Sequence, residues 1–318
     1  MKLSGKNYKR IVIKIGSSLL YSGKNILDEN FLENIVTKIA VLVREKREVF
    51  LVSSGAIAGG MHVLQINSRP KDLSSLQALA AVGQHFLISQ YRRFLSQEKL
   101  ECSQVLLTWE DLDNRKRYLN AKNTLLKLLE LETVPIINEN DTVSTDEIKF
   151  GDNDRLSALV ANLTNADLLL ILSDVDGLLD KNKKVIRIVS EITPQIRALA
   201  CQTDKKTCVG GMITKIEAAK IAIDSGIPCV IANGKRKDVI LSAIEKPAQI
   251  GTLFVPKRGL AARERWIAFG TKPKGKITVD DGAKKALFNK KSLLCVGILA
   301  CEGVFDSGDI VSVIDKDK

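Results

Sequence analysis

Apolar and polar positions along the first 255 residues follow two different periods, which separate strands from helices. Short, continuous runs rich in Val, Ile and Leu are typical of buried strands, whereas apolar residues three and four positions apart are typical of amphipathic helices. The pattern predicts strands at Arg10–Ile15, Val49–Ser53, Gln104–Thr108, Val134–Asn138, Leu168–Leu172, Cys229–Ala232 and Gly251–Val255. It predicts helices at Glu29–Lys46, Ser74–Leu95, Leu119–Glu130, Arg155–Leu163 and Thr214–Ser225.

This alternation predicts an α/β fold with a mainly parallel sheet that is covered by helices on both faces. The pattern changes after Pro256, where Lys257–Ala262 resembles a linker. Short strands around one small helix, Asp281–Lys290, are predicted beyond it, separated by glycines. We therefore predict two domains, 1–256 and 263–318.

Composition excludes several classes of protein. A hydrophobic share of 45% and a charged share of 27% are ordinary for a soluble globular protein. No apolar run reaches the roughly 18 residues of a spanning helix, and the start of the chain has no secretory cleavage site, so we expect a cytoplasmic protein that does not enter the membrane. Six cysteines without CxxC spacing and only two histidines argue against a zinc site, a disulfide framework and histidine-based catalysis. The net charge of +11 indicates anionic partners, either phosphates, carboxylates or nucleic acid.

Two glycine turns carry a lysine. Lys14 lies near the end of the first predicted strand, two residues before Gly16, and Lys215 lies in the first turn of the helix that follows Gly210 and Gly211. Backbone N–H groups at a helix start, together with an ammonium group, suit a phosphate. The alternatives are structural: a strand-end lysine that extends to solvent, and an ordinary helix start.

A third turn, Ser53–Gly60, contains two serines and then small residues that open a helix. Its free N–H groups and hydroxyls can bind an anion, although a serine N-cap would explain the same sequence. In a fourth turn, the buried strand Leu168–Leu172 is followed by Ser173 and Asp174.

The most informative pattern is a pair of polar segments, Ile137–Val143 and Phe150–Ala158, on either side of a predicted hairpin through Glu147–Phe150. Ligands of open α/β sheets bind at the carboxyl ends of strands. Asn and Asp side chains there can bind the ammonium group of an amino acid, although Asx turns and helix capping would also account for them. Together the five turns predict a site for ATP and an anionic acceptor.

In this order, the segments KIGSS, SSGAIAGG, INENDTV with FGDNDRLSA, ILSDVDGL and GGMITK resemble the amino acid kinase family over nearly the whole chain. The NEND and GDND pair is similar to the segments that hold glutamate in the members that phosphorylate it. The resemblance implies a three-layer αβα sandwich around a mainly parallel sheet. It also implies transfer of the γ-phosphate of ATP to the side-chain carboxylate of L-glutamate, which gives glutamyl 5-phosphate in the first step of proline biosynthesis.

The resemblance further implies roles for individual residues. Lys14 and Lys215 would stabilise the transferring phosphoryl group, and Asp154 would orient both lysines. Glutamate would be bound by Ser54, Asp141 and Asn153, with Gly55, Ala56 and Asn138 nearby. ATP would contact Lys14, Ser173, Asp174, Val209, Gly210, Gly211, Met212, Ile213, Thr214 and Lys215. Ser173 and Val209 stand where Thr is common in the family.

A carboxylate acceptor is already a nucleophile at neutral pH, so such a reaction needs no general base. Its charge is expected to be neutralised by the two lysines and by Mg²⁺ held mainly through the ATP phosphates, without a dedicated protein site for the metal. The resemblance also implies a homo-oligomer, feedback inhibition by proline, and passage of the labile product to glutamyl phosphate reductase.

The segments ARERWIAFGTKPKGKITVDDGAKKAL and GVFDSGDIVSVID resemble a PUA domain, a module of RNA-modifying enzymes that is also fused to kinases of this kind. The chain stops soon after the second segment, where that module would normally continue, so we expect the PUA-like domain either to be incomplete or to be completed by another chain. Two other functions stay open at this point: a sister kinase with another acceptor, such as aspartate or acetylglutamate, and an RNA-binding protein that acts through the basic tail.

Overall fold

The computed structural model describes residues 8–22, 25–144, 153–200, 211–256, 267 and 273–316. The chain divides into two compact units, Met1–Ala261 and Ala262–Lys318, and each is described by itself. Parts of the sequence predictions lie outside the described residues. These are the hairpin through Glu147–Phe150 with Gly151 and Asp152 of the polar segment that follows it, Val209 and Gly210, the linker at Lys257–Ala262, and residues 263–266 and 268–272 of the PUA-like segment.

The first unit is built on a mainly parallel eight-stranded sheet, as predicted. The strand order is β3-β4-β2-β1-β5-β7-β8-β6, and every neighbouring pair is parallel except β7 and β8. The strands are β1 (Arg10–Ile15), β2 (Glu48–Ser53), β3 (Glu101–Leu107), β4 (Thr133–Glu139), β5 (Leu168–Ser173), β6 (Ile188–Val189), β7 (Cys229–Asn233) and β8 (Gly251–Phe254).

Helices flank this sheet. They are α1 (Ser17–Leu20), α2 (Glu29–Arg44), α3 (Ala56–Val63), α4 (Leu73–Gln97), α5 (Trp109–Asp113), α6 (Arg115–Glu130), α7 (Asn153–Thr164), α8 (Pro194–Ala200), α9 (Met212–Asp224), α10 (Val239–Glu245) and α11 (Pro247–Ile250). Within the part of the chain that the structure describes, no helix is both long and apolar enough to cross a bilayer.

Every predicted strand of this unit is present, but several boundaries differ from the predictions. The second helix ends at Arg44 rather than Lys46, because Lys46 adopts a left-handed conformation with φ of 63°. Helix α6 starts at Arg115 rather than Leu119, since the Asn114 side chain caps it by accepting from the N–H groups of Lys116 and Arg117. The hydrophobic pattern does not predict β6 or the short helices α1, α5, α8, α10 and α11, which are too brief to show a period.

The central strands are buried on both faces, which explains their continuous apolar sequences. All six residues of β5 are buried, and in β1 the residues from Ile11 to Ile15 are buried. Lys14 is an exception to this apolar composition. It places an ammonium group within the apolar layer, with only 5% of the residue exposed. A buried ammonium group requires an anionic partner nearby.

Helices α3 and α4 approach each other at glycines. A Cβ atom on Gly60 would lie 2.0 Å from the carbonyl oxygen of Leu79, and one on Gly83 would lie 1.7 Å from that of Ala56. No other residue fits at either position without moving the backbone. The two helices are therefore held at backbone contact, which fixes the position of α4 over the carboxyl edge of β2.

The second unit has a three-stranded sheet in the order β10-β9-β11, formed by β9 (Gly275–Val279), β10 (Ile298–Gly303) and β11 (Val311–Asp315). Strand β10 is antiparallel and β11 is parallel to β9. Helix α12 covers Asp281–Phe288, two residues shorter than predicted, and the Asp280 side chain caps it by accepting from the Ala283 N–H group at 2.7 Å. A short 3-10 helix follows at Cys295–Gly297. This small unit is mostly β, as predicted.

Candidate active site

The carboxyl ends of four neighbouring strands, β4, β2, β1 and β5, form one edge of the sheet. The register pairs Ile15 of β1 with Ser53 on one side and with Leu172 on the other. Backbone hydrogen bonds continue past the strand ends, from Ser54 N–H to the Ile15 carbonyl at 3.1 Å and from Gly16 N–H to the Leu172 carbonyl at 3.2 Å. The predicted polar turns are therefore brought to a single edge.

Three charged side chains meet at this edge. The ammonium nitrogen of Lys14 lies 2.6 Å from Oδ1 of Asp154, and that of Lys215 lies 3.1 Å from Oδ2. The Thr214 hydroxyl donates to the same Oδ2 at 2.8 Å. Strand β1 supplies the first lysine, the start of α7 supplies the carboxylate, and the first turn of α9 supplies the second lysine and the threonine. We call these residues the lysine cluster.

The lysine cluster is almost completely buried, and its side chains are exposed by only 6% for Lys14, 7% for Lys215 and 1% for Asp154. Burial by itself raises the pKa of the Asp154 carboxyl. The ammonium groups of Lys14 and Lys215 and the hydrogen bond from Thr214 outweigh burial, so this pKa lies below its ordinary value. Asp154 is thus charged at neutral pH and holds two cations side by side, an arrangement suited to a multiply charged anion.

A second group of side chains lies on the other side of the α7 start. The Asn153 amide nitrogen donates to the Ser54 hydroxyl and to Asn138 Oδ1, both at 2.8 Å. The Asn138 amide nitrogen donates in turn to Gln84 Oε1 at 2.8 Å. We call these residues the amide chain. Because Asn153 and Asp154 are consecutive, the first turn of α7 joins the amide chain to the lysine cluster.

The hydrogen bonds of the amide chain determine what it presents to a ligand. Asn153 uses its amide group as the donor in both bonds, and its buried Oδ1 has no hydrogen-bond partner among the described residues. Ser54 Oγ accepts from Asn153, which leaves the hydroxyl hydrogen to point elsewhere. The chain therefore offers one acceptor and one donor, which suit an ammonium group and a carboxylate respectively.

The remaining predicted acceptor-side residues border this chain. Gly55 precedes α3 with φ of 114°, and a Cβ there would lie 2.7 Å from Cε2 of Tyr21, so both conformation and space require glycine. Ala56 is buried in the first turn of α3. Asp141 lies half-buried in the turn after β4. Burial lowers the pKa of Arg69, and the Asp141 carboxylate opposes that shift, which indicates that these two charges interact.

The predicted nucleotide-side residues lie at the ends of β5 and at the start of α9. Ser173 ends β5, and its hydroxyl donates to Asp174 Oδ1 at 3.2 Å. Gly211 is the N-cap of α9, and a Cβ placed on it would have no atom of the other described residues within 4 Å. Of the following residues, Met212 is buried, Ile213 is 46% exposed, and Thr214 and Lys215 belong to the lysine cluster.

Sequence reasoning did not identify Gln84, Arg69 or the contact of Thr214 with Asp154. Gln84 lies in the long helix α4, where a polar residue gives no signal that distinguishes it from the residues of a solvated face. Only its burial, at 8% exposure, and its bond to Asn138 reveal it. Arg69 precedes a proline in a loop, a position with no pattern of its own.

Comparison with known proteins agrees with this architecture. Residues 9–233 match the model of the amino acid kinase family, and residues 275–318 match that of the PUA domain. Glutamate 5-kinase from Caldanaerobacter subterraneus is 48% identical over 314 residues, which cover 96% of this chain and 84% of the relative. Glutamate 5-kinases from Dehalococcoides mccartyi and Moorella thermoacetica are 45% and 44% identical, over 99% of this chain and 87% and 85% of theirs. The chain therefore belongs to the amino acid kinase family, and within it to the glutamate 5-kinases.

Proposed function

We propose that this protein transfers the γ-phosphoryl group of ATP to the side-chain carboxylate of L-glutamate, giving glutamyl 5-phosphate and ADP in the first step of proline biosynthesis. The observation that supports this most directly is the junction at the start of α7. There a site with one acceptor and one donor adjoins a buried pair of lysines. The first feature suits an amino acid, and the second suits the phosphoryl group that the amino acid receives.

We assign binding of the amino acid to the amide chain and its neighbours. The Ser54 hydroxyl would donate to a substrate carboxylate, and Asn153 Oδ1 would accept from the substrate ammonium group. Asp141 would add a negative charge on the ammonium side, with Gly55, Ala56 and Asn138 shaping the pocket. An amino acid with a free ammonium group satisfies these groups, whereas a ligand without one leaves a buried acceptor unpaired.

We assign the chemistry to the lysine cluster. An ionised carboxylate attacks phosphorus without losing a proton, so catalysis depends on alignment and on stabilising charge at the transferring oxygens. Lys14 and Lys215 would bind those oxygens, and Asp154 would hold both ammonium groups in place. Because the cluster is buried, its charges act in a medium of low dielectric constant, where their effect on the transition state is large.

ATP would be bound by the segments around Ser173 and Asp174 and around Gly211 to Lys215, together with Val209 and Gly210. The N-terminus of α9 offers backbone N–H groups to a phosphate, and the open space at Gly211 allows close approach.

Mg²⁺ would be held chiefly through the phosphate oxygens of ATP, which it binds together with water and where it neutralises charge. Asp154 does not serve as a ligand, because two lysines and a threonine engage its carboxylate. Among the described residues, no three His, Cys, Asp or Glu side chains converge on a metal site.

We also propose the wider setting that the family implies. The protein would act in the cytoplasm as a homo-oligomer, proline would inhibit it, and its labile acyl phosphate would pass to glutamyl phosphate reductase. An acyl phosphate hydrolyses readily in water, which gives a physical reason for rapid use of the product.

The test is an acceptor panel of L-glutamate, L-aspartate and N-acetyl-L-glutamate, with and without Mg²⁺. ADP formation is measured in a coupled assay, and the acyl phosphate is trapped with hydroxylamine as a hydroxamate. We expect Mg²⁺-dependent turnover and a hydroxamate with L-glutamate. Turnover with aspartate or acetylglutamate, and none with glutamate, would refute the proposal in favour of a sister kinase.

A further inference from the structure

We propose that Gln84 is a positioning residue for the acceptor site: through Asn138, it holds Asn153 in the one amide orientation that presents an oxygen to the substrate ammonium group. This inference rests on the proposed function. Gln84 is the outermost member of the amide chain, and among the described residues it forms no hydrogen bond with Ser54 or Asn153, which we assign to substrate contact. Its influence therefore passes through Asn138 alone.

Close packing between α3 and α4 places Gln84 at this position. Gly83, the preceding residue, lies against the backbone of α3 at Ala56 and Gly60, and its lack of a side chain allows α4 to pack this closely on α3. Gln84 is consequently buried at 8% exposure, and its Oε1 receives the Asn138 amide hydrogen at 2.8 Å. A buried amide that is held in this way has a defined orientation.

Two partners hold the Asn138 amide, the Glu139 N–H group at its oxygen and Gln84 Oε1 at its nitrogen. Asn138 Oδ1 accepts from the N–H group of Glu139 at 2.9 Å, and a backbone N–H group can only donate. The Asn138 oxygen must therefore face Glu139 and Asn153, and its nitrogen must face Gln84. Asn153 then has to donate toward Asn138, which turns its own oxygen toward the substrate.

Removal of the Gln84 oxygen would leave the Asn138 amide nitrogen buried without an acceptor. The Asn138 amide cannot turn to relieve this loss, because its oxygen accepts from the Glu139 N–H group, so the whole side chain would shift toward another acceptor. Asn153 donates to Asn138 Oδ1 at 2.8 Å and would move with it, which displaces the Asn153 oxygen from the substrate ammonium group. A displaced acceptor binds that ammonium group less well, so the affinity for glutamate would fall while that for ATP would not.

The test compares Gln84→Met, which keeps the shape but removes the acceptor, with Gln84→Glu, which retains an acceptor oxygen. Gln90→Met is the matched control, since Gln90 lies on the same helix and its amide nitrogen contacts only Ser89 among the described residues. Steady-state KM values for L-glutamate and ATP are measured together with the inhibition constant of glutarate, which is glutamate without its ammonium group. Thermal unfolding reports whether each variant is folded.

For Gln84→Met we expect the glutamate KM to rise about tenfold, which corresponds to about 1.4 kcal/mol. The ATP KM and the glutarate inhibition constant should stay at their wild-type values. Gln84→Glu should restore the glutamate KM most of the way to wild type, and Gln90→Met should change none of these constants.

An unchanged glutamate KM in a folded Gln84→Met protein would overturn the proposal. A parallel rise of the glutamate KM and the glutarate inhibition constant would also overturn it, since that result indicates a general distortion of the pocket. Failure of the proposed function would look different, because the wild-type protein itself would then not phosphorylate L-glutamate.

Discussion

Replacement of Asp154 by asparagine is the strongest test of the lysine cluster. The substitution keeps the size of the side chain and its ability to accept from Thr214, but it removes the negative charge of Asp154, which lies 2.6 Å from Lys14 and 3.1 Å from Lys215. Two ammonium groups with exposures of 6% and 7% would then lose the carboxylate that they share. The variant should therefore lose both stability and lysine alignment.

The magnitude follows from burial. Breaking a buried ion pair by removing one partner costs about 3–5 kcal/mol in free energy of unfolding. The asparagine oxygen retains part of the hydrogen bonding, so we expect about 3 kcal/mol for Asp154→Asn. Displaced lysines should also lower kcat about 100-fold, because phosphoryl transfer depends on charges that are already in position.

Urea unfolding followed by circular dichroism measures the first effect, and the coupled ADP assay on the folded fraction measures the second. Asp238→Asn is the matched control, because Asp238 forms an exposed ion pair with Lys38 at 2.6 Å and should matter little for either quantity. An Asp154→Asn protein with wild-type stability and wild-type kcat would refute the assignment of Asp154 as the residue that holds the lysines.

The charge of Asp154 also predicts how the free energy of unfolding depends on pH in the acid range. The pKa of Asp154 is lowered in the folded protein, so its stabilising contribution is complete above the unfolded value of about 3.9. The contribution is lost as the pH falls through the lower folded pKa. In this range the unfolded state binds protons more readily than the folded state, and proton binding therefore stabilises the unfolded state. The difference in unfolding free energy between the wild type and Asp154→Asn should therefore shrink below about pH 4.

Three further predictions address the rest of the site and the domain division. Lys14→Ala and Lys215→Ala should each lower kcat about 100-fold, and near-normal kcat in a folded variant would exclude that lysine from the chemistry. Asp141→Ala should raise the KM for glutamate far more than that for ATP, and the opposite split would place Asp141 on the nucleotide side. A chain ending at Val255 should stay folded by circular dichroism and keep its specific activity, since all the proposed site residues precede Ile216; a folded but inactive product would show that the second unit completes the site.

The sequence predicts the fold best where burial is complete. A strand covered on both faces must be apolar throughout, so Leu168–Ser173 and Arg10–Ile15 could be located to within a residue. Prediction of helix and strand positions fails where a single hydrogen bond sets a boundary or where an element is very short. The start of α6 depends on the side chain of Asn114, and β6 has only two residues, so neither is visible in a period of apolar positions.

The sequence also places the candidate residues on turns that follow strands or precede helices, but it does not show how they divide into groups. Asn153 and Asp154 are neighbours in one motif, yet successive residues of a helix point about 100° apart. One side chain therefore joins the amide chain and the other joins the lysine cluster. Gln84 shows a second limit of prediction from sequence. A polar residue in a long helix is ordinarily solvated, so the role of Gln84 follows only from its contacts in the structure.

The division at the start of α7 has a consequence for catalysis. Because Asn153 and Asp154 are consecutive in one rigid turn, the distance between the amino-acid site and the two lysines is set by backbone geometry rather than by flexible side chains. Helix α7 is buried along nearly its whole length, so this turn cannot shift without disturbing the core. In the proposed reaction, this single element would align the acceptor carboxylate with the transferring phosphoryl group. A change that rotates this turn should weaken glutamate binding and slow the chemical step together, whereas a change in Gln84 should affect binding alone.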